Sequence, residues 1–170
     1  MNWQRKLLLL GIVGLTPIAS LQSAETGEKL SACALTKLSN SQQPIELSQF
    51  AGKVLYLDFW ASWCPPCAKS FPFLNKLHHQ YHPEGLKIIG INLDEVPEDA
   101  EKFLNQHPAE FALASDLSKQ CAEELGVAAM PSSYLIDRKG FIRHIHLGFR
   151  ASETQELREK VTQLLAEPVL

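Results

Sequence analysis

"KVLYLDFWASWCPPCAKSFPFL", residues 53 to 74, decides the architecture. Its first part, Lys53 to Trp60, is a near-continuous β-rich run, the mark of a strand buried on both faces. The second part holds Cys64-Pro65-Pro66-Cys67, and proline at a first helical turn predicts a helix from this motif through Tyr81. Leu74, Leu77 and Tyr81 recur at helical spacing along it, and Pro72 is expected to kink it. Two cysteines thus stand where a buried strand turns into a helix, the sequence context of a dithiol redox site.

The chemistry follows from that placement. A helix beginning at the motif offers its unpaired first N–H groups to Cys64 and favours the thiolate, so Cys64 is the attacking sulfur. Cys67, one turn in and more buried, stays protonated until it resolves a mixed disulfide. Zinc would need four ligands, and one CxxC supplies two. His78 and His82 share a helical face and His144 and His146 a strand face, but such spacings more often mark solvated or hydrogen-bonded rings, so no metal is expected. A structural staple is also a poor reading, because a four-residue ring closes little loop entropy.

Outward from the motif, strand and helix signals alternate. "LKIIGINL" (86–93) reads as a second buried strand, 97–107 as a helix, "EFALA" (110–114) as a short strand, and 117–125 as a helix ending at Gly126. "SSYLID" (132–137) and "FIRHIHLG" (141–148) flank Arg138-Lys139-Gly140 as a hairpin, and 152–165 closes the chain as a helix with Leu157, Val161 and Leu164 on one stripe. Before the motif, "CALTKL" and "PIEL" around a turn at "NSQQ" give a hairpin over 33–47. The expectation is one α/β sandwich with a mixed central sheet.

Composition bounds the rest. The chain has 170 residues and a net charge of −3, enough for one core and no basic patch for nucleic acid. Residues 1–24 have the form of a secretory signal: Arg5 and Lys6 precede an apolar run from Leu7 to Leu21, too short to span a bilayer comfortably. Export follows, with an uncleaved membrane tether as the alternative. "LSAC" (30–33) matches a lipoprotein box at Cys33, but Glu25, Glu28 and Lys29 separate it from the apolar run, which argues against lipidation. Four cysteines in an exported chain suggest a second bridge, Cys33–Cys121, against the alternative of two separate buried thiols.

"FWASWCPPC", Met130-Pro131 and "SSYLIDRKG" together resemble the thioredoxin superfamily. The hairpin and the export signal make the chain similar to its periplasmic TlpA/ResA-like branch. The resemblance implies a thioredoxin-like domain over about 33–170 with an added N-terminal β-hairpin. It implies a cis peptide before Pro131, where Met130 and Pro131 meet the substrate chain, with Trp63 as a flat apolar contact beside Cys64. Two departures stand out. Ser70 replaces the glutamate that branch carries three residues after the second cysteine, while Asp58 matches the buried acid of cytosolic-type thioredoxins, without its companion lysine, whose place falls at about Gly90. A buried carboxylate has a raised pKa and can take the proton of Cys67.

The function expected is an exported thiol-disulfide oxidoreductase that reduces protein disulfides with no cofactor. Its regeneration by a membrane electron carrier of the DsbD/CcdA kind is implied by the resemblance. A periplasmic oxidant or isomerase is the alternative within redox chemistry. A Sco-like copper carrier is a weaker one, since that family resembles CxxxC rather than CxxC. A peroxidase would need a lone peroxidatic cysteine in a different loop.

Overall fold

The computed structural model describes residues 24–168; the apolar N-terminal run, and with it the signal segment, lies outside them. Seven strands form one sheet in the order β2-β1-β5-β4-β3-β6-β7. They are β1 (Leu35–Lys37), β2 (Asn40–Ile45), β3 (Val54–Trp60), β4 (Leu86–Asn92), β5 (Ala112–Ser115), β6 (Ser132–Ile136) and β7 (Ile142–Leu147). Four helices join them: α1 (Pro65–Tyr81), α2 (Pro97–Gln106), α3 (Gln120–Leu125) and α4 (Thr154–Ala166). β3, β4 and β5 run parallel, and the remaining pairs are antiparallel, so the sheet is mixed.

β3 is an inner strand, between β4 and β6, and every residue of it is buried. Its side chains alternate between two cores. Val54, Tyr56 and Trp60 face Leu74 and Leu77 of α1, Phe103 of α2 and Val161 of α4. Leu55, Leu57 and Phe59 face Cys121 and Leu125 of α3. Steps from β3 to β4 and from β4 to β5 go the same way across the sheet, so right-handed crossovers place α1 and α2 on one face. α3, on the way back to β6, covers the other face. Among the described residues no helix is long and apolar enough to cross a membrane.

Three details differ from the reading of the sequence. The first hairpin turns at Leu38-Ser39, and "NSQQ" belongs to β2 instead of the turn. β2 is an edge strand exposed along five of its six residues, so it shows no apolar alternation, and its Pro44 is tolerated because an edge N–H has no partner to lose. α3 starts at Gln120 rather than Leu117. Asp116 is the cause: it accepts from the Ser118 hydroxyl and from Ala122 N–H, holding 116–119 in a turn that competes with the helix. The fold also takes in chain ahead of Cys33, since Gly27 N–H donates to Ile142 O and Leu30 N–H to Gly140 O.

Candidate redox site at the start of α1

The site is built where β3 runs out. Trp60 ends the strand wholly buried, its ring against Phe71 and Phe103. The chain then turns through Ala61–Trp63, and the turn is fastened from β4. Asp94 accepts from Ser62 N–H at 3.0 and 3.1 Å and from the Ser62 hydroxyl, and Asn92 Nδ2 donates to Asp94 in turn. This clamp was missed in the sequence. Its signal is "NLD" at the end of a parallel strand, the end where functional loops gather in α/β sheets.

Cys64 is the N-cap residue of α1, with Pro65 and Pro66 in the first two helical positions. Proline fits there because its φ suits the first turn and the N–H it lacks would have had no partner within the helix. The next N–H, that of Cys67, donates to Cys64 Sγ at 3.3 Å. Cys64 and Cys67 are joined as a disulfide, Cα atoms 5.3 Å apart. Both sulfurs sit low: Cys64 is 3% exposed and Cys67 is sealed. Trp63 beside them stands out at 69% exposed. An open groove of about 700 Å³ runs from Trp63 and Cys64 between α1 and α2, reaching Lys69, Asp99 and Lys102.

The Met130–Pro131 peptide is cis, and Met130 packs on the core cluster that contains Cys64 and Cys67. Gly148 N–H donates to Pro131 O at 2.7 Å and the Ser132 hydroxyl to Ala129 O at 2.6 Å, so this loop is held from both sides.

Asp58 lies on the same core face, 1% exposed. Ser133, its partner in register on β6, donates its hydroxyl to Asp58 Oδ1 at 2.6 Å, while Oδ2 is buried without a partner. Burial pushes the Asp58 carboxyl from its ordinary 3.8 up to about 7, against the pull of that hydrogen bond. Burial, and then the nearby Asp58 charge, raise the Tyr56 phenol, with Ser133 again opposing. Ser133 is the second residue sequence reasoning missed; its signal is its place two residues after Pro131.

Both departures from the resembled pattern have structural grounds. Ser70 is buried and its hydroxyl donates to Cys67 O at 2.9 Å, a bond internal to the helix. At Gly90, opposite Asp58 on β4, a Cβ would come within 3.0 Å of Phe111, 3.1 Å of Leu113 and 3.2 Å of Trp60 Nε1. No lysine stem fits in that packing.

Away from this site, Cys33 and Cys121 are also joined, with Cα atoms 4.8 Å apart and both sulfurs buried. His78 and His82 pack ring to ring, and His144 and His146 stack, but among the described residues no group of three His, Cys, Asp or Glu side chains is placed to hold a metal.

Comparison with known proteins agrees with this geometry. The Redoxin family pattern matches residues 25–163. Thiol-disulfide oxidoreductase ResA of Bacillus thuringiensis (strain Al Hakam) is 32% identical over 154 residues, 88% of each chain. A crystal structure from Chlorobium tepidum, described as a candidate thiol:disulfide interchange protein DsbE, superposes with a TM-score of 0.79 at 40% identity, over 85% of this chain and all of that one. A thiol:disulfide interchange protein from Bacteroides sp. superposes at 0.71 with 25% identity, over 83% and 93%. The chain belongs to the Redoxin family, and it is a TlpA/ResA-like thiol-disulfide oxidoreductase of the thioredoxin superfamily.

Proposed function

We propose that the protein is an exported reductant of protein disulfides, with Cys64 attacking and Cys67 resolving. The observation that carries the direction is the donor set at Cys64. A helix start can turn several N–H groups toward its capping sulfur, and an oxidant uses such donors to stabilise its reduced thiolate. Here Pro65 and Pro66 remove the first two, leaving the Cys67 N–H. A thiolate held by so few donors gives up its electrons more readily. That favours reduction of the partner.

In this reading the Cys64 thiolate attacks one sulfur of a target disulfide and expels the other as a thiolate. The Cys67 thiol passes its proton to the Asp58 carboxylate, and its sulfur then attacks Cys64 Sγ. The second target thiolate leaves and the Cys64–Cys67 bond closes. Two electrons have gone from the dithiol to the target. An Asp58 pKa of about 7 suits this role, because the group can both take and return a proton at working pH. Trp63 and the groove beside it offer the target an apolar seat, and the cis loop of Met130 and Pro131 offers it backbone.

Export is supported by the charged and apolar form of the first residues, and by a second buried disulfide of the kind that persists in oxidising compartments. Regeneration by a DsbD/CcdA-type membrane carrier fits a reductant in such a place. The test is the reduction potential of the Cys64/Cys67 couple. A value near thioredoxin's, about −270 mV, is expected, whereas one near the −120 mV or so of DsbA makes the protein an oxidant.

A further inference from the structure

Asp58 has two lateral neighbours on its face of the sheet, and they differ in kind. Toward β4 stands Gly90, and the space beyond it is filled by Phe111, Leu113 and Trp60. That side is closed by apolar packing. Toward the edge stands Ser133 on β6, and opposite Ser133 on the edge strand β7 stands His146. Residues directly opposite in antiparallel strands share a face, with Cβ atoms about 4.5–5.5 Å apart. Asp58, Ser133 and His146 therefore form one rung from the inner strand β3 to the edge of the sheet. The rung continues outward, because His146 Nε2 is 3.2 Å from Glu153 Oε2 in the turn before α4.

A second observation singles this rung out. Asp58 Oδ2 is buried with no hydrogen-bond partner, and the buried His146 Nε2 and Glu153 Oε2 have only each other, poorly aligned at 3.2 Å. Such atoms are costly to bury, and folds hold few of them. Three along one rung, with a hydroxyl between them, make a line of groups that can each accept or release a proton. The adjacent rung has no such continuity: Leu135 stands between Tyr56 and His144.

We propose that Asp58, Ser133, His146 and Glu153 form the route by which the buried carboxyl exchanges its proton with solvent in each redox cycle. The proposal rests on the reading of Asp58 as the base for Cys67. The proton that Cys67 gives to Asp58 is passed to the Ser133 oxygen as the hydroxyl turns. Ser133 hands its own proton to the His146 ring, opposite it in register, directly or through one bridging water. The other ring nitrogen releases a proton to Glu153 and the solvent at the sheet edge. One proton leaves Cys67, one enters water, and no electron moves along the rung. The charged and titratable groups around it are Tyr56 on β3, Cys67 of α1, His144 on β7, Arg150 beside Glu153, and Glu156 and Lys160 of α4 around His144.

The test is single-turnover oxidation of the reduced protein by a small disulfide in dilute buffer. Samples are quenched in acid, their thiols alkylated and counted by mass spectrometry, in H₂O and in D₂O. His146→Phe and Ser133→Ala are each expected to slow ring closure about a hundredfold, the low end of what a lost proton-transfer group costs. Added imidazole should restore the rate of His146→Phe. Glu153→Gln, which keeps the shape of the turn, should slow closure less and serves if His146→Phe does not fold. Ser133→Ala should also move the midpoint of the pH profile upward, since a donor to the ionised carboxylate is gone. A His146→Phe protein with wild-type rate and isotope effect, or one slowed without response to imidazole, overturns the route. So does a variant with a lowered melting temperature alone. Asp58→Asn separates the two claims: slow Asp58→Asn with normal His146→Phe and Ser133→Ala removes the route and keeps the base. An Asp58→Asn of unchanged rate and pH profile removes the base and the route with it.

Discussion

The two disulfides are the same bond in opposite settings. Cys64–Cys67 spans three positions at the first turn of α1, next to an exposed tryptophan and an open groove. Cys33–Cys121 spans 88 positions and ties the chain before β1 to α3, beneath the other face of the sheet. The first constrains the unfolded chain very little, so its place in the fold has to be justified by chemistry. The second closes a long loop, and its sulfurs lie in the core with no exposed aromatic side chain beside them among the described residues. Position, rather than the bond, decides which sulfurs exchange.

The largest test of this contrast is Cys64→Ala. It should lower insulin-disulfide reduction by on the order of 10³-fold or more, as loss of a nucleophile does, while the melting temperature stays near that of the native protein. The double substitution Cys33→Ala with Cys121→Ala should do the reverse. Activity at low temperature is kept, and denaturant unfolding loses about 4–5 kcal/mol, the entropy scale of a loop this long. If that pair also abolished catalysis with the fold intact, the division of roles would be wrong.

Asp58 lies on the core face that holds Cys64–Cys67, and its raised pKa makes Asp58→Asn a way to sharpen the comparison. In the unfolded chain the carboxyl ionises near its ordinary 3.8, and in the fold near 7. Between these values the unfolded state sheds a proton that the native state keeps, so stability falls as pH rises from about 4 to about 7 and levels off above. Asparagine has no such loss. Asp58→Asn should therefore be more stable than the native protein by about 4 kcal/mol at pH 8, and by little at pH 4, in urea titrations at both. Its activity profile should lose the limb near pH 7. The smallest effect belongs to Trp63→Ala: capture of a protein disulfide weakened about fivefold in steady-state kinetics, with potential and stability unchanged to within about 0.5 kcal/mol.

Much of this was legible beforehand because the informative residues are local. "KVLYLDFW" and "CPPC" identify a buried strand and a helix start without reference to anything distant, and the hairpin at 132–148 announces itself through its turn. The edge strand β2 did not, since an exposed strand carries no alternation to read. The environment of Asp58 was legible only by half. Its burial follows from its place in an apolar run, but Ser133 lies 75 residues away and meets it through strand register, which no local pattern encodes. The same is true of Asp94 under Ser62, brought together across β3 and β4.

The two tryptophans at either end of "WASW" give the molecule an optical use. Trp60 is sealed in the core between aromatic rings, and Trp63, three residues on, stands in water beside Cys64. A disulfide quenches an adjacent indole through its accessible acceptor orbital, and a dithiol does so far less. Emission from both indoles should therefore brighten when Cys64–Cys67 opens, since Trp60 shares a core cluster with the two sulfurs and Trp63 stands beside Cys64. The protein thus carries a fluorescent reporter of its catalytic disulfide in its own sequence.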